Sequence, residues 1–430
     1  MAVFRPVDAV TVEIWGKPVG AVALDPDSGF YAFEFDPKFA RSGINLAPLQ
    51  MPLSEASEPF VFPSLSIETY QRLPAMIADA LPDKFGNALI NAWMADRGIA
   101  NRNVTALDRL AYMGQRSMGA MIFKPNRGPT KSASTALELS GLVKQARSVI
   151  QGDFKTGDHA GEVLRQIIQV GTSAGGARAK ATIAWNSRTQ EVKTGQFEIP
   201  SGFDAWLLKF DGIGADEQLG EGRNYGRIEY AYSLMAKAAG ITMSDCHLLE
   251  EEGRAHFMTK RFDRTGNERH HMQTLCAIAH LDFNQIGSHS YHQLFQTIIA
   301  LGLGRAELEQ TLRRMIFNVL AANHDDHTKN FSFLLKKGGA WELAPAYDVT
   351  FAYNPNNKWL KQHLMSVNGK FDGITEQDFR EVADRYELLG ACTDIIADVR
   401  AAVAQWPKFA RQAELPEQSA KEISQALDNF

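Results

Sequence analysis

The chain has 430 residues, room for about three structural units at roughly 150 residues each. Hydrophobic residues make up 45% and charged residues 22%, an ordinary globular mix with enough apolar material for several core layers. The net charge of −5 argues against a chain built to coat nucleic acid, and three widely separated cysteines (Cys246, Cys276, Cys392) exclude a disulfide framework or a zinc ribbon.

The N-terminus has no apolar run of signal-peptide length, and no stretch reaches the roughly 18 apolar residues of a spanning helix. A soluble, cytoplasmic protein is expected. Residues 10–35 then alternate. Val10, Val12 and Ile14 share a face, a turn is expected at Gly16-Lys17-Pro18, and Val19, Val22 and Leu24 follow. A second turn at Asp25-Pro26-Asp27-Ser28-Gly29 leads into Phe30–Phe35, which completes a small antiparallel sheet. Residues 36–66 are proline-rich loop, and 70–98 read as helices broken at Leu81-Pro82-Asp83. The polar stretch 125–136, with Pro125 and Pro129, reads as a linker that closes a first domain. Helical spacing recurs over 137–151 and 159–170. Strand-like runs follow at 180–186, 195–199, 204–210, 246–250 and 255–262, with one helix at 223–239. From 272 onward the pattern is helical, with a strand-like break at 331–344. Strands first and helices after predict two lobes with a cleft, a favoured place for a ligand.

The densest polar cluster is Asn323-His324-Asp325-Asp326-His327-Thr328-Lys329-Asn330, between an amphipathic helix and an apolar strand. Asp325 and Asn330 have the D-x-x-x-x-N spacing of a kinase catalytic loop, in which the Asp orients the attacking hydroxyl and the Asn carbonyl oxygen holds magnesium. Asp348, in Ala344-Pro345-Ala346-Tyr347-Asp348-Val349, can hold the magnesium that bridges the phosphates. The same His and Asp residues also fit a divalent-metal hydrolase, or a solvated loop. Gly171–Lys180 is rich in small residues and can form a phosphate nest, although it is neither a Walker A loop nor a dinucleotide fingerprint. Lys209 lies in an apolar strand, where a nucleotide phosphate would compensate its burial; its other reading is a strand edge with the head in water. Glu229 on the next helix would complete a strand-Lys and helix-Glu pair; its other reading is a plain surface acid. The scattered histidines are given no metal role, and Arg269-His270-His271 reads as a solvated turn.

In this order the motifs resemble the HipA family of serine/threonine kinase toxins of bacterial type II toxin–antitoxin systems. The resemblance rests on Ser173-Ala174-Gly175-Gly176-Ala177-Arg178-Ala179-Lys180, Lys260-Arg261-Phe262-Asp263-Arg264, His324–Ser332 and Ala344–Val349. It extends to Ile14-Trp15-Gly16-Lys17-Pro18-Val19-Gly20, Met51-Pro52-Leu53 and Leu81-Pro82-Asp83, and so covers about residues 10–410. It implies an α+β, two-lobed, protein-kinase-like core. An N-terminal β/α subdomain would span 1–130, a β-rich N-lobe with phosphate loop and hinge 131–265, and a helical C-lobe 266–430.

By resemblance, Asp325 would be the catalytic base, and Asn330 and Asp348 the magnesium ligands. ATP would be bound by Ala174, Gly175, Gly176, Ala177, Arg178, Lys180 and Lys209, by the backbone from Lys260 to Phe262, and by His327 and Lys329. Ser173 would be the site of an inactivating autophosphorylation, because a phosphoserine of about −1.5 to −2 charge repels ATP phosphates. The implied partners are a small HipB-like helix-turn-helix antitoxin, through which alone DNA is met, and a protein substrate in translation such as an aminoacyl-tRNA synthetase; no membrane is implied. Two features depart from the pattern. Thr172 precedes Ser173, and Asp326 sets a second carboxylate beside the base. The alternatives are a pseudokinase that acts as co-repressor with its antitoxin, and a metal-dependent phosphohydrolase.

Overall fold

The computed structural model describes residues 4–129, 178–212, 215–216, 220–221, 224–251 and 253–428. The expected helices at 137–151 and 159–170 and the Ser173–Ala177 part of the phosphate loop lie outside these residues. The chain divides into two compact units. The first comprises Met1–Gly214, Lys260–Gln273 and Leu335–Ala340; the second comprises Ala215–Thr259, Thr274–Leu334 and Trp341–Phe430. No helix among the described residues is long and apolar enough to cross a membrane.

The first unit opens with β1 (Ala9–Ile14), β2 (Lys17–Leu24) and β3 (Tyr31–Phe35). After some one-turn helices come two longer ones, α1 (Lys84–Asp96) and α2 (Ala106–Met113), then β4 (Ile122–Lys124), which pairs with the far edge of β1 to give the order β3-β2-β1-β4. The alternation read from sequence is the pleat: Val10, Val12 and Ile14 are all fully buried. The first turn sits one residue earlier than expected. Ile14 faces Lys17, and Trp15 and Gly16 both take positive φ (50° and 77°), as a two-residue hairpin turn requires. The Trp15 indole Nε1 donates to the Arg269 carbonyl at 2.7 Å, a tertiary bond that helps hold a bulky residue in this conformation. Asp83 explains the helix break near 82, since its carboxylate caps α1 by accepting from Gly86 N at 2.7 Å.

After residue 177 come β5 (Lys180–Asn186), β6 (Glu191–Thr194) and β7 (Asp204–Lys209), with β5 in the middle. The strand expected at 195–199 does not form. The Asn267 amide takes both backbone groups of Ile199, accepting from its N–H at 2.7 Å and donating to its carbonyl at 3.2 Å, in place of ladder partners.

The segment 260–273 overturns the solvated-turn reading of Arg269-His270-His271. Both histidines are buried, and the Arg269 guanidinium donates to the carbonyls of Gln115, Ser117, Gly119 and Met121. Asp263, fully buried, accepts from Arg261 Nε at 2.9 Å, Arg261 Nη2 at 2.7 Å, Arg264 Nη1 at 2.7 Å and Gly119 N at 2.7 Å. Burial alone would raise its pKa, but the two guanidiniums more than reverse this and hold the carboxyl well below the usual carboxylate range. The polar run is thus a buried clasp on the 115–121 loop.

The second unit holds α3 (Tyr225–Ala238) and the hairpin β8 (Cys246–Glu251) with β9 (Arg254–Lys260), whose last residue, Lys260, belongs to the first unit. Next come α4 (Tyr291–Ala300) and α5 (Arg305–Leu320), then β10 (Ser332–Leu335) and β11 (Trp341–Leu343). Four helices close the chain: α6 (Glu376–Arg385), α7 (Leu389–Val403), α8 (Trp406–Gln412) and α9 (Glu417–Leu427). Leu312, Met315 and Ile316 of α5 are fully buried and Val319 nearly so, the helical stripe visible in the sequence, and α5 packs on α7. The class is α+β, as expected.

Candidate active site

The polar loop leaves α5 through Ala322, whose φ is +50°, and is pinned at once. His324 N donates to Ala352 O and Ala352 N to Ala322 O, both at 3.1 Å. Asn330 ends a single 3₁₀ turn, and its Nδ2 donates to the Asp325 carbonyl at 2.6 Å. That bond ties the two ends of the D-x-x-x-x-N segment and leaves Oδ1, the acceptor end of the amide, for a cation. Asp348 arrives from β11 along a segment held by Ala346 N to Thr242 O at 2.8 Å, and by the buried Arg314 donating to Ala344 O at 2.8 Å. Its φ is +51°, a left-handed conformation that non-glycine residues adopt at a cost and that clusters at working sites. Asn330 and Asp348 line one pocket, with Asn318, Asn323, Arg314 and Tyr347. Burial lowers the Arg314 guanidinium to about 10, which still leaves a fixed positive charge there at neutral pH. The Tyr347 hydroxyl donates to Lys329 O at 2.6 Å and meets Ser332 Oγ at 2.5 Å, so it welds the Asp348 segment to the loop that carries Asp325 and Asn330.

His327 lies near Asp325, Nε2 to Oδ1 3.8 Å, and its ring stands 5.4 Å from that of Phe283. Lys329 places Nζ 4.5 Å above the same Phe283 ring. Asp326 does not crowd Asp325, contrary to the sequence reading. It turns inward and is fully satisfied: Oδ2 accepts from the Tyr291 hydroxyl at 2.8 Å and pairs with His363 Nδ1 at 3.0 Å, and Oδ1 accepts from Leu364 N at 2.7 Å. His324 is also buried, its Nδ1 on Leu360 O at 3.1 Å; burial, and then the charge of His363, lowers it to about 4. The four residues of the hydrolase alternative therefore do not converge. Among the described residues no group of three or more His, Cys, Asp and Glu could hold a metal. The pair of Asn330 and Asp348 does fit magnesium, which takes oxygen donors and needs only one or two carboxylates besides phosphate and water.

The first unit carries the other expected residues. Lys180 and Lys209 stand directly opposite each other across the β5–β7 ladder, on one face, and both are buried. Lys180 Nζ lies 3.5 Å from Asp83 Oδ2, with both side chains 2% exposed. Lys209 is not a strand-edge lysine with its head in water, since only 7% of it is exposed. Lys260 pairs with Asp204 at 2.9 Å; Arg178 and Phe262 are half-buried. In the second unit, Glu229 is buried on α3.

Comparison with known families decides the relationship. The family model for the HipA-like C-terminal domain matches residues 172–406, and that for the HipA N-terminal domain matches residues 10–124. The chain belongs to the HipA family. The HipA of Shewanella oneidensis MR-1, solved with HipB and operator DNA, has the same fold. The TM-score is 0.65 at 16% identity, covering 97% of this chain and 95% of that one. The Helicobacter pylori proinflammatory kinase CtkA is more distant, with a TM-score of 0.36 at 12% identity over 54% of this chain and 87% of that one. A curated relative from Sinorhizobium fredii (strain NBRC 101917 / NGR234), named "Putative kinase Y4dM", is 24% identical over 137 residues, 28% of this chain and 32% of the relative's length. The family models and the match to the Shewanella HipA give this chain the kinase-like, two-lobed fold expected from its motifs.

Several residues of this candidate site were not evident in the sequence. Phe283, Tyr291, Tyr347 and His363 come from four separate segments, and each supports the loop through a contact that spans 18 residues or more, while Asn318 meets Asn323, 5 positions on, and Tyr291, 27 positions back. Only Asn318 carried a local signal, as a polar residue inside the apolar stripe of α5.

Proposed function

We propose that the chain is an ATP- and magnesium-dependent serine/threonine protein kinase of HipA type. The observation that carries the reading is the joint presentation of Asn330 and Asp348 on one pocket, with Asn330 bonded to the backbone of Asp325 and Asp348 held in left-handed backbone. In this reading Asp325 takes the proton of the attacking hydroxyl, within reach of His327. The cation, when bound to Asn330 and Asp348, neutralises phosphate charge. Arg314 adds a fixed positive charge at the same pocket, and His327 and Lys329 steady the phosphates from the loop. Lys209 meets the ATP phosphates, the backbone from Lys260 to Phe262 meets the adenine, and Ala174 to Lys180 forms the phosphate loop, in which Lys180 also answers Asp83. Catalysis is positioning plus charge stabilisation, as phosphoryl transfer requires.

The likeness to a HipA solved with HipB and operator DNA supports a HipB-like antitoxin as partner. The substrate proposed is a protein of translation, and Ser173 the site of an inactivating autophosphorylation. Intact mass before and after ATP and Mg²⁺, with Asp325→Ala as control, tests the whole reading. A phosphate gained by the wild type alone, mapped to residues 172–173, is expected. No gain by a phosphatase-treated protein, with no nucleotide bound, would overturn it.

A further inference from the structure

We propose that Asn323 is a third oxygen donor to the magnesium site, and that a hydrogen-bond relay anchored on Asp326 sets which end of its amide it presents. The proposal deepens the kinase reading and rests on it. The relay is directional. Asp326 is buried and accepts from backbone N–H groups at Leu364 and Met365, as a carboxylate does. The Tyr291 hydroxyl must therefore donate its one proton to Asp326 Oδ2, at 2.8 Å, and its oxygen is left to accept. Asn318 Nδ2 fills that acceptor at 2.9 Å, which turns Asn318 Oδ1 toward Asn323. Asn323 Nδ2 then donates to Asn318 Oδ1, also at 2.9 Å. Each link has one polarity, and the last fixes the Asn323 amide with its carbonyl oxygen outermost.

That oxygen is an orphan. Asn323 is 3% exposed, its Oδ1 is buried without a hydrogen-bond partner among the described residues, and the residue lines the same pocket as Asn330 and Asp348. A buried carbonyl oxygen without a donor is costly, so its retention calls for a ligand. The pocket wants an oxygen for a hard cation or for one of the waters that magnesium keeps. The relay also separates the two carboxylates of the Asp-Asp pair by function. On the kinase reading Asp325 is left for the chemistry, and Asp326, buried beside the same pocket, sets the polarity of a metal-facing amide.

The test is Mn²⁺ affinity, by electron paramagnetic resonance, of the full chain with a non-hydrolysable ATP analogue. It does not depend on turnover, and circular dichroism checks folding. Asn323→Ala is expected to bind Mn²⁺ about 10–100-fold more weakly, the usual effect of losing a supporting group at a metal site. Asn323→Asp, which keeps an oxygen in place, is expected to bind at least as well as wild type. Tyr291→Phe, which cuts the relay and leaves Asn323 intact, is expected to weaken Mn²⁺ as well. Wild-type affinity in folded Asn323→Ala, beside a loss in Asp348→Asn, would overturn the proposal and leave the kinase reading standing. If Asn323→Ala does not fold, a loss of Mn²⁺ affinity in folded Asn323→Asp would overturn it instead. Failure of the wild type to bind Mn²⁺ with the nucleotide would overturn both.

Discussion

Replacing Asp263 by Ala should destabilise the protein far more than any exchange of a surface charge. The carboxylate is wholly buried and is the shared acceptor of Arg261, Arg264 and Gly119 N. Its two arginine partners have side chains only 3% and 9% exposed, so water cannot replace it. Breaking a buried pair by removing one partner costs about 3–5 kcal/mol, because the other charge is stranded. The orphaned Gly119 N–H adds about 1–3 kcal/mol. Asp263→Asn keeps the shape and one acceptor oxygen, so its loss should be smaller. Urea titration followed by circular dichroism and tryptophan fluorescence measures both. A loss below about 1 kcal/mol, the range of exposed pairs, would refute the argument. The pH dependence follows from the same charges. The folded carboxyl titrates well below the unfolded value of about 3.9, so its stabilisation is fully present above that value and lost as pH falls toward the folded one. The gap between wild type and Asp263→Ala should be constant from about pH 5 to 8 and narrow only in stronger acid.

Three further outcomes are expected. Asp325→Asn should lower the rate of phosphoryl transfer roughly 10²–10⁴-fold with nucleotide binding intact, and near-normal turnover would remove Asp325 as the base. Ser173→Ala should abolish self-modification and keep activity on a substrate; peptide mapping would instead find the phosphate on Thr172 if that hydroxyl is the acceptor. His271 is lowered to about 4 by burial, against its bond to Leu46 O, so the folded protein resists its protonation. Its contribution to stability is complete above about pH 6.5 and lost as pH falls through 4. Wild type should therefore soften over that interval in thermal melts. His271→Gln should flatten the slope, and an unchanged slope would show that the imidazole does not contribute.

What the sequence disclosed and what it hid divide along a physical line. Patterns carried by neighbours in the chain were readable: the alternation of Val10, Val12 and Ile14, the stripe from Leu312 to Val319, and the five-residue interval from Asp325 to Asn330. Partners far away in the chain were not. Arg269 looks like a surface residue until carbonyls some 150 positions earlier surround it. Asp326 looks like a rival to Asp325 until His363 and Tyr291 claim it. The strand expected near 195–199 is lost to one amide at position 267. A side chain with several donors or acceptors can rewrite the local tendency of a distant segment, and no window along the sequence contains both.

The clasp between the 115–121 loop and Arg261, Asp263, Arg264 and Arg269 also bears on how such chains can be cut or recombined. A fragment begun after residue 130 would keep the arginines and lose the Gly119 N–H and the carbonyls that meet them. Its solubility would fall unless new acceptors were engineered, however intact its Asp325–Asn330 loop. In chimeras the two stretches matched by the family models, 10–124 and 172–406, should therefore be exchanged together. A donor sequence for either half must bring its side of the lock in register, so a splice point is better chosen by matching these residues than by the polar stretch between them.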